Sequence, residues 1–181
     1  MKIAVLATGG TFDKEYNEIS GNLYFKKPHI QEMLAKGRCH LSVRIQVVMM
    51  KDSLEMTEQD RRQILDACQS CEESRIVITH GTDTMEHTAR FLANEVHYKT
   101  IVLTGAMIPY TFGSSDGLFN LGSALSFVQV LSPGVFIAMN GCFFESHEVY
   151  KDKHQGIFRR RETEPNAPVT LNNAPERTTL T

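Results

Sequence analysis

The feature that most restricts this chain is a recurrence. A short apolar run ends in an abrupt polar or glycine-bearing turn, and a stretch with helical spacing follows. Runs at residues 2–7, 42–49, 75–79, 100–104 and 134–139 read as strands. Four of them break into glycine turns, at Thr8-Gly9-Gly10-Thr11, His80-Gly81, Gly105 and Asn140-Gly141. Between the runs, helical patterns are predicted from Pro28 through Leu34, over 58 to about 71, over 84–95 and over 119–131. Thr57 is a good N-cap for the second of these, with Asp60 three residues on as in a capping box. Met85, Thr88, Ala89 and Leu92 line one face of the third, and Leu121, Leu125, Phe127 and Val128 one face of the fourth. Residues 12–27 read as a loop or small hairpin. The strand at 42–49 alternates, but the others are continuously apolar, which is what a parallel sheet covered on both faces requires. The expectation is an α/β fold: a three-layer α/β/α, open and mostly parallel sheet with helices on both faces.

At 181 residues the chain has material for one substantial core. The expected domain is 1–158. Residues 159–181 hold Arg159-Arg160-Arg161 and then three of the six prolines, with few apolar residues, and read as a flexible tail. With 19 basic and 21 acidic residues there is no basic excess, which argues against nucleic acid as a partner. No apolar stretch approaches the roughly 18 residues of a spanning helix, so no membrane role is expected. The chain opens directly on the strand-like Lys2-Ile3-Ala4-Val5-Leu6 rather than on a secretory leader, which points to a cytoplasmic protein. Cys68 and Cys71 form a CxxC late in a predicted helix, where no helix N-terminus acidifies them; with Cys39 and Cys142 they read as packing or surface thiols. None of the seven histidines stands in HExxH spacing, so neither a metal nor another cofactor is expected.

Open α/β sheets bind ligands beyond the carboxyl ends of their strands. Polar residues gather at those ends here: Thr8–Thr11, Asp52-Ser53, Thr79–Asp83, and Thr104 with Gly105. Together they predict one polar crevice. Thr8-Gly9-Gly10-Thr11 is neither GxGxxG nor a P-loop, so a nucleotide is a weak reading. Thr11 becomes a nucleophile if a base takes its proton. Asp83 either caps the following helix or, beside Thr82, holds a substrate ammonium; His80 hydrogen-bonds between loops. Lys151 is a surface lysine or, near a hydroxyl and a carboxylate, a base, with Lys153 its alternative. Asp52-Ser53 binds ammonium and carboxylate groups or merely turns the chain.

The motifs taken together resemble the N-terminal domain of the bacterial-type L-asparaginases. The carriers are Thr8-Gly9-Gly10-Thr11-Phe12, His80-Gly81-Thr82-Asp83-Thr84-Met85, Leu103-Thr104-Gly105-Ala106-Met107 and Ser115-Asp116-Gly117-Leu118-Phe119-Asn120-Leu121, in family order. The resemblance implies hydrolysis of the side-chain amide of L-asparagine, or a related small amide, to the acid and ammonia, without a cofactor. It implies a catalytic set of Thr11, Thr82, Asp83, Lys151 and Tyr24, with Tyr16 a rival for the tyrosine. Either Thr11 or, paired with Lys151, Thr82 attacks first. It implies substrate binding by Gly10, Asp52, Ser53, Gly81 and Ala106, the Asp-Ser pair being similar to the cytoplasmic branch. Backbone N–H groups at the signature glycines and Thr82 would stabilise the oxyanion. Family members are longer and carry a smaller C-terminal domain, which supplies an acidic residue to a neighbour's site in some branches. Glu15, Glu18 or another chain would replace that residue, or the substrate would lack an amino group. A homodimer or homotetramer is expected, to cover helices the second domain would touch. The alternatives are a small-molecule-binding or regulatory module of the same fold, and an amidase for glutamine, a peptide or a cyclic amide.

Overall fold

The computed structural model describes residues 1–161. β1 (Lys2–Gly9) leads through a 3-10 turn, Thr11–Asp13, into a hairpin of β2 (Lys14–Tyr16) and β3 (Leu23–Phe25). Then come α1 (Ile30–Lys36), β4 (Ser42–Lys51), α2 (Glu58–Ser70), β5 (Arg75–Thr79), α3 (Met85–Ala93), β6 (Thr100–Thr104), α4 (Gly117–Val130) and β7 (Gly134–Met139). Three short strands follow: β8 (Cys142–Glu145), β9 (Val149–Asp152) and β10 (Ile157–Arg160). The main sheet has six strands in the order β4-β1-β5-β6-β7-β8. The first five are parallel, and β8 closes one edge antiparallel to β7. The expected three-layer, mostly parallel α/β/α sheet is what forms.

The strands' apolar continuity follows from two covered faces. Leu6, Ile76, Ile78, Ile101 and Leu103 pack toward α2 and α3 against Ile64, Cys68, Met85, Ala89 and Leu92. Their neighbours Ile3, Val5, Ala7, Val77 and Val102 pack the opposite way against Ile30, Met33, Leu121, Leu125 and Val128. Side chains alternate across a strand, so an all-apolar run fills both cores at once. Each fully buried Leu, Ile or Val stabilises the fold by roughly 1.5–3 kcal/mol relative to exposure. α2 starts at the capping box read from the sequence: Asp60 N–H donates to Thr57 Oγ1 at 3.2 Å, and Thr57 N–H donates to Asp60 Oδ2 at 2.7 Å.

Some boundaries differ from expectation. α4 begins at Gly117, not 119, because Asp116 gathers the preceding loop: its carboxylate accepts from Met107 N–H and Ile108 N–H and from the Asn120 amide. β8, β9 and β10 lie beyond the last strand expected. In β10, Arg159 and Arg160 pair with Tyr150 and Val149, so strand continues two residues past the boundary placed at 158. The remainder of the tail reading, residues 162–181, lies outside the described residues. Buried Val149 and Phe158 plug the β9–β10 hairpin into the α2–α3 core.

Candidate active site

Strand order fixes where a crevice can open. From β1 the chain goes to β4 on one side and then to β5 on the other, so the connections diverge between β1 and β5. Loops leaving the carboxyl ends of two such strands separate and expose a cleft. The loops here are Gly10–Asp13 after β1 and His80–Thr84 after β5, with Asp52–Glu55 after β4 alongside.

Glycine lets these loops touch. Gly10 has φ 79° and ψ −177°, a conformation closed to residues with a Cβ, and a Cβ there would lie 2.4 Å from Gly81 N. A Cβ on Gly81 would lie 2.5 Å from Ser53 Oγ. The Gly10 and Gly81 loops therefore meet backbone to backbone, the Ser53 side chain packs against Gly81, and Thr11 and Thr82 are the next residues after the touching pair. Around them hydroxyls pin the strand ends: Thr8 Oγ1 donates to Thr79 O at 2.7 Å, Thr104 Oγ1 to Ala138 O at 2.8 Å, and Thr84 Oγ1 to Ser53 O at 2.8 Å. His80 is fully buried; its ring spans Gly81 O at 2.8 Å and Thr88 Oγ1 at 2.9 Å, linking loop to helix as expected. Burial pushes its pKa down to about 4, so it is neutral at pH 7.

Lys151, on β9, reaches this cleft. Its Nζ donates to Thr82 Oγ1 and to Asp83 Oδ1, both at 2.7 Å, and its side chain is 9% exposed. Asp83 therefore does not cap α3; its carboxylate holds the amine instead. Lys153, the alternative, is exposed. A hydroxyl, an amine and a carboxylate in one hydrogen-bonded line form a path along which a proton can move.

The lid-side residues are arranged differently from expectation. Tyr24 is opposite Glu15 in the β2–β3 hairpin and is 38% exposed, and Tyr16 is more exposed still at 56%. Neither hydroxyl makes a hydrogen bond among the described residues. Glu18 is exposed on the hairpin loop. Asp52, read as a receptor for a substrate ammonium, has both oxygens engaged: Oδ2 pairs with Lys14 Nζ, and Oδ1 accepts Leu54 N–H at 2.9 Å. Burial pushes this carboxyl up, but the bonds from Lys14 and Leu54 outweigh it and hold it below the usual range. Gly10 offers no oxyanion donor either, because its N–H is committed to Lys51 O at 3.0 Å. Ser53 is buried, with Oγ lacking a partner among the described residues, and Ala106 is buried in the apolar core with Phe12 and Leu121.

Sequence reasoning missed two features. One is Lys14 as the partner of Asp52. The other is Asp13, fully buried two residues after Thr11. Its Oδ1 accepts His29 N–H at 2.8 Å, while the His29 ring reaches Glu15 Oε1 at 3.2 Å through Nε2. Burial raises the Asp13 pKa from 3.8 to about 6, against the lowering by His29's N–H and ring. Two residue types at unremarkable spacing carry no sequence signal for either contact.

Among the described residues no cluster of three or more His, Cys, Asp or Glu side chains converges as metal ligands, and no helix is long and apolar enough to cross a membrane. All four thiols are free. Fold and cleft together define an α/β protein with a Thr–Lys–Asp cluster at the switch point of a parallel sheet. The chain belongs to the asparaginase family: the family profile described as asparaginase, N-terminal, matches residues 2–174. An L-asparaginase of Thermococcus kodakarensis is 34% identical over 146 residues, covering 76% of this chain and 44% of the relative. A glutaminase-asparaginase of Acinetobacter glutaminasificans is 44% identical over 94 residues, 50% of this chain and 28% of that one. The solved thermostable L-asparaginase from Thermococcus kodakarensis superposes with a TM-score of 0.79 at 30% identity, covering 88% of this chain and 51% of that structure. The chain thus spans about half the length of these relatives or less.

Proposed function

We propose that this chain hydrolyses the side-chain amide of a small substrate such as L-asparagine, using a threonine nucleophile. The observation that carries the reading is Lys151 Nζ at 2.7 Å from both Thr82 Oγ1 and Asp83 Oδ1. Thr11, which follows the glycine that touches Gly81, is the residue assigned to attack. Its oxygen bonds to the amide carbon as its proton leaves for the hydroxyl–amine–carboxylate line. The carbon–nitrogen bond then breaks, and nitrogen departs as ammonia with that proton. Water attacks the resulting ester, releasing the acid and restoring the hydroxyl. The backbone N–H groups of Thr11 and Thr82 are the donors assigned to the oxyanion, since Gly10's is already used. No step needs a cofactor. A cytoplasmic location belongs to the same reading; the relatives include both a probable cytoplasmic L-asparaginase from Campylobacter jejuni and a probable periplasmic one from Haemophilus influenzae. A homo-oligomer, covering the helices that a second domain covers in longer family members, is part of the same reading.

The test is ammonia release from L-asparagine and L-glutamine by wild type and by Thr11→Ala and Thr82→Ala, with circular dichroism and thermal melting as folding controls. Folded variants with turnover lowered about a hundredfold or more are expected. Release that survives both substitutions overturns the reading.

A further inference from the structure

We infer that Asn120 and Asn140 are a positioning pair for Lys151: their side-chain amides hold the β9–β10 hairpin at the register from which the amine reaches Thr82 and Asp83. The inference rests on the amidohydrolase reading and extends that site to residues outside the cleft.

The hairpin has few other means of keeping its place. β9 and β10 form a two-stranded sheet separate from the main one. Val149 and Phe158 seat it by apolar contact, which resists lifting but has no direction of its own. Arg160 reaches Phe143 O at 3.5 Å and Arg161 reaches Glu86 at 3.7 Å, but Arg160 lies opposite Val149, at the open end of the hairpin. At the level of Lys151 the tie is different. Phe158 stands directly opposite Lys151, and its N–H donates to Asn140 Oδ1 at 3.2 Å. Asn140 and Gly141 make the two-residue turn between β7 and β8, with φ of 56° and 78°. The Asn140 N–H donates to Asn120 Oδ1 at 3.1 Å. Asn120 is fully buried, and its Nδ2 donates to Gly105 O at 2.9 Å and to Asp116 Oδ2 at 2.8 Å. That amide has one workable orientation: turned over, its oxygen would face two oxygens and its NH2 an N–H. A line of directional bonds thus runs from the end of β6 and the start of α4 to the residue opposite Lys151. Lys151 needs that precision. Its bonds to Thr82 and Asp83 are 2.7 Å, and a slip of about 1 Å takes them out of hydrogen-bonding range. Misplacement on that scale costs a reacting site up to about a hundredfold in rate. An Asn-Gly pair is also an ordinary choice for a tight turn, so turn-making must be separated from positioning by the readout.

Asn140→Gly suits the turn but removes the oxygen that takes the Phe158 N–H. Asn140→Asp keeps that oxygen and is also accepted at positive φ. Two quantities are measured on each folded protein: kcat and KM for ammonia release from L-asparagine or L-glutamine, and the rate at which acetic anhydride labels each lysine, read by mass spectrometry. In Asn140→Gly, kcat should fall about tenfold or more with KM within about twofold, the split expected when a relay group moves and substrate contacts stay. Lys151, whose side chain is 9% exposed in wild type, should label about tenfold faster or more as the hairpin opens locally. Lys99, buried at the opposite end of the sheet, controls for general loosening. Asn140→Asp should restore both values. Asn140→Ala, which lacks the same oxygen, replaces the glycine variant if that one does not fold. A turn role alone lowers the melting temperature and leaves both readouts unmoved, which overturns the inference. Labelling that rises equally at Lys99, a change in only one of kcat and Lys151 labelling, or failure of aspartate to restore them overturns it as well. Faster Lys151 labelling, reversed by aspartate, in a protein that releases no ammonia keeps the pair's hold on Lys151 and rejects the hydrolase reading. Ammonia from wild type, with kcat and labelling unchanged in Asn140→Gly, does the reverse.

Discussion

Asp13→Asn isolates the cost of one buried carboxyl. Asp13 is fully buried beside the nucleophile turn, and its pKa is raised from 3.8 to about 6 because burial disfavours the charged form. Between these two values the folded chain holds a proton that the unfolded chain has lost. Stability supplied by this group is therefore greatest below the lower value and falls as pH rises through about 6. The full swing is about 3 kcal/mol. Between about pH 8 and about pH 5, where urea titrations are practical, the same relation gives about 1.4 kcal/mol. Asparagine keeps an acceptor for His29 N–H but cannot titrate. The stability of wild type minus that of Asp13→Asn should thus increase by about 1.4 kcal/mol on acidification over that range. Taking the difference matters, because buried His80 pulls the other way. Its pKa falls from 6.5 to about 4, so the stability it supplies is lost as pH drops between those values in both proteins alike. Parallel curves for wild type and variant would refute the assignment of a buried, proton-holding carboxyl.

Two further outcomes follow from the site geometry. Lys151→Met should keep its melting temperature within a few degrees but lose ammonia release by about a hundredfold or more; turnover within a few-fold of wild type would remove the amine from the relay. Gly10→Ala places a Cβ 2.4 Å from Gly81 N at φ 79°, so urea unfolding should show a loss of more than about 2 kcal/mol; a near-neutral result would mean that the two loops do not touch as described.

The parallel core was legible in the sequence because burial on two faces leaves an unambiguous mark. Ile76-Val77-Ile78 and Ile101-Val102-Leu103 have no polar residue to offer a solvent side, and each is bounded by a turn. β8 to β10 left no such mark. Cys142-Phe143-Phe144-Glu145 and Val149-Tyr150-Lys151-Asp152 are short, mixed in polarity and only partly buried, so neither period stands out. The candidate site divides in the same way. Glycines at strand ends signalled that the loops could approach closely, and at Gly10 and Gly81 they do. That Lys151 would cross 69 residues to Thr82 rested on resemblance, since long-range pairing has no local signature. For the same reason Asp52 read as an open acceptor, while its real partner stood 38 residues away at Lys14.

The hairpin that delivers Lys151 has a consequence for how the protein comes to life during synthesis. Every strand of the parallel sheet has been made before that amine emerges, and the amine is seated only when Phe158 anchors its hairpin in the core. Synthesis therefore makes Thr11 and Thr82 well before the amine that bonds Thr82, and on the proposed reading a nascent chain acquires its proton relay only once the β9–β10 hairpin has docked.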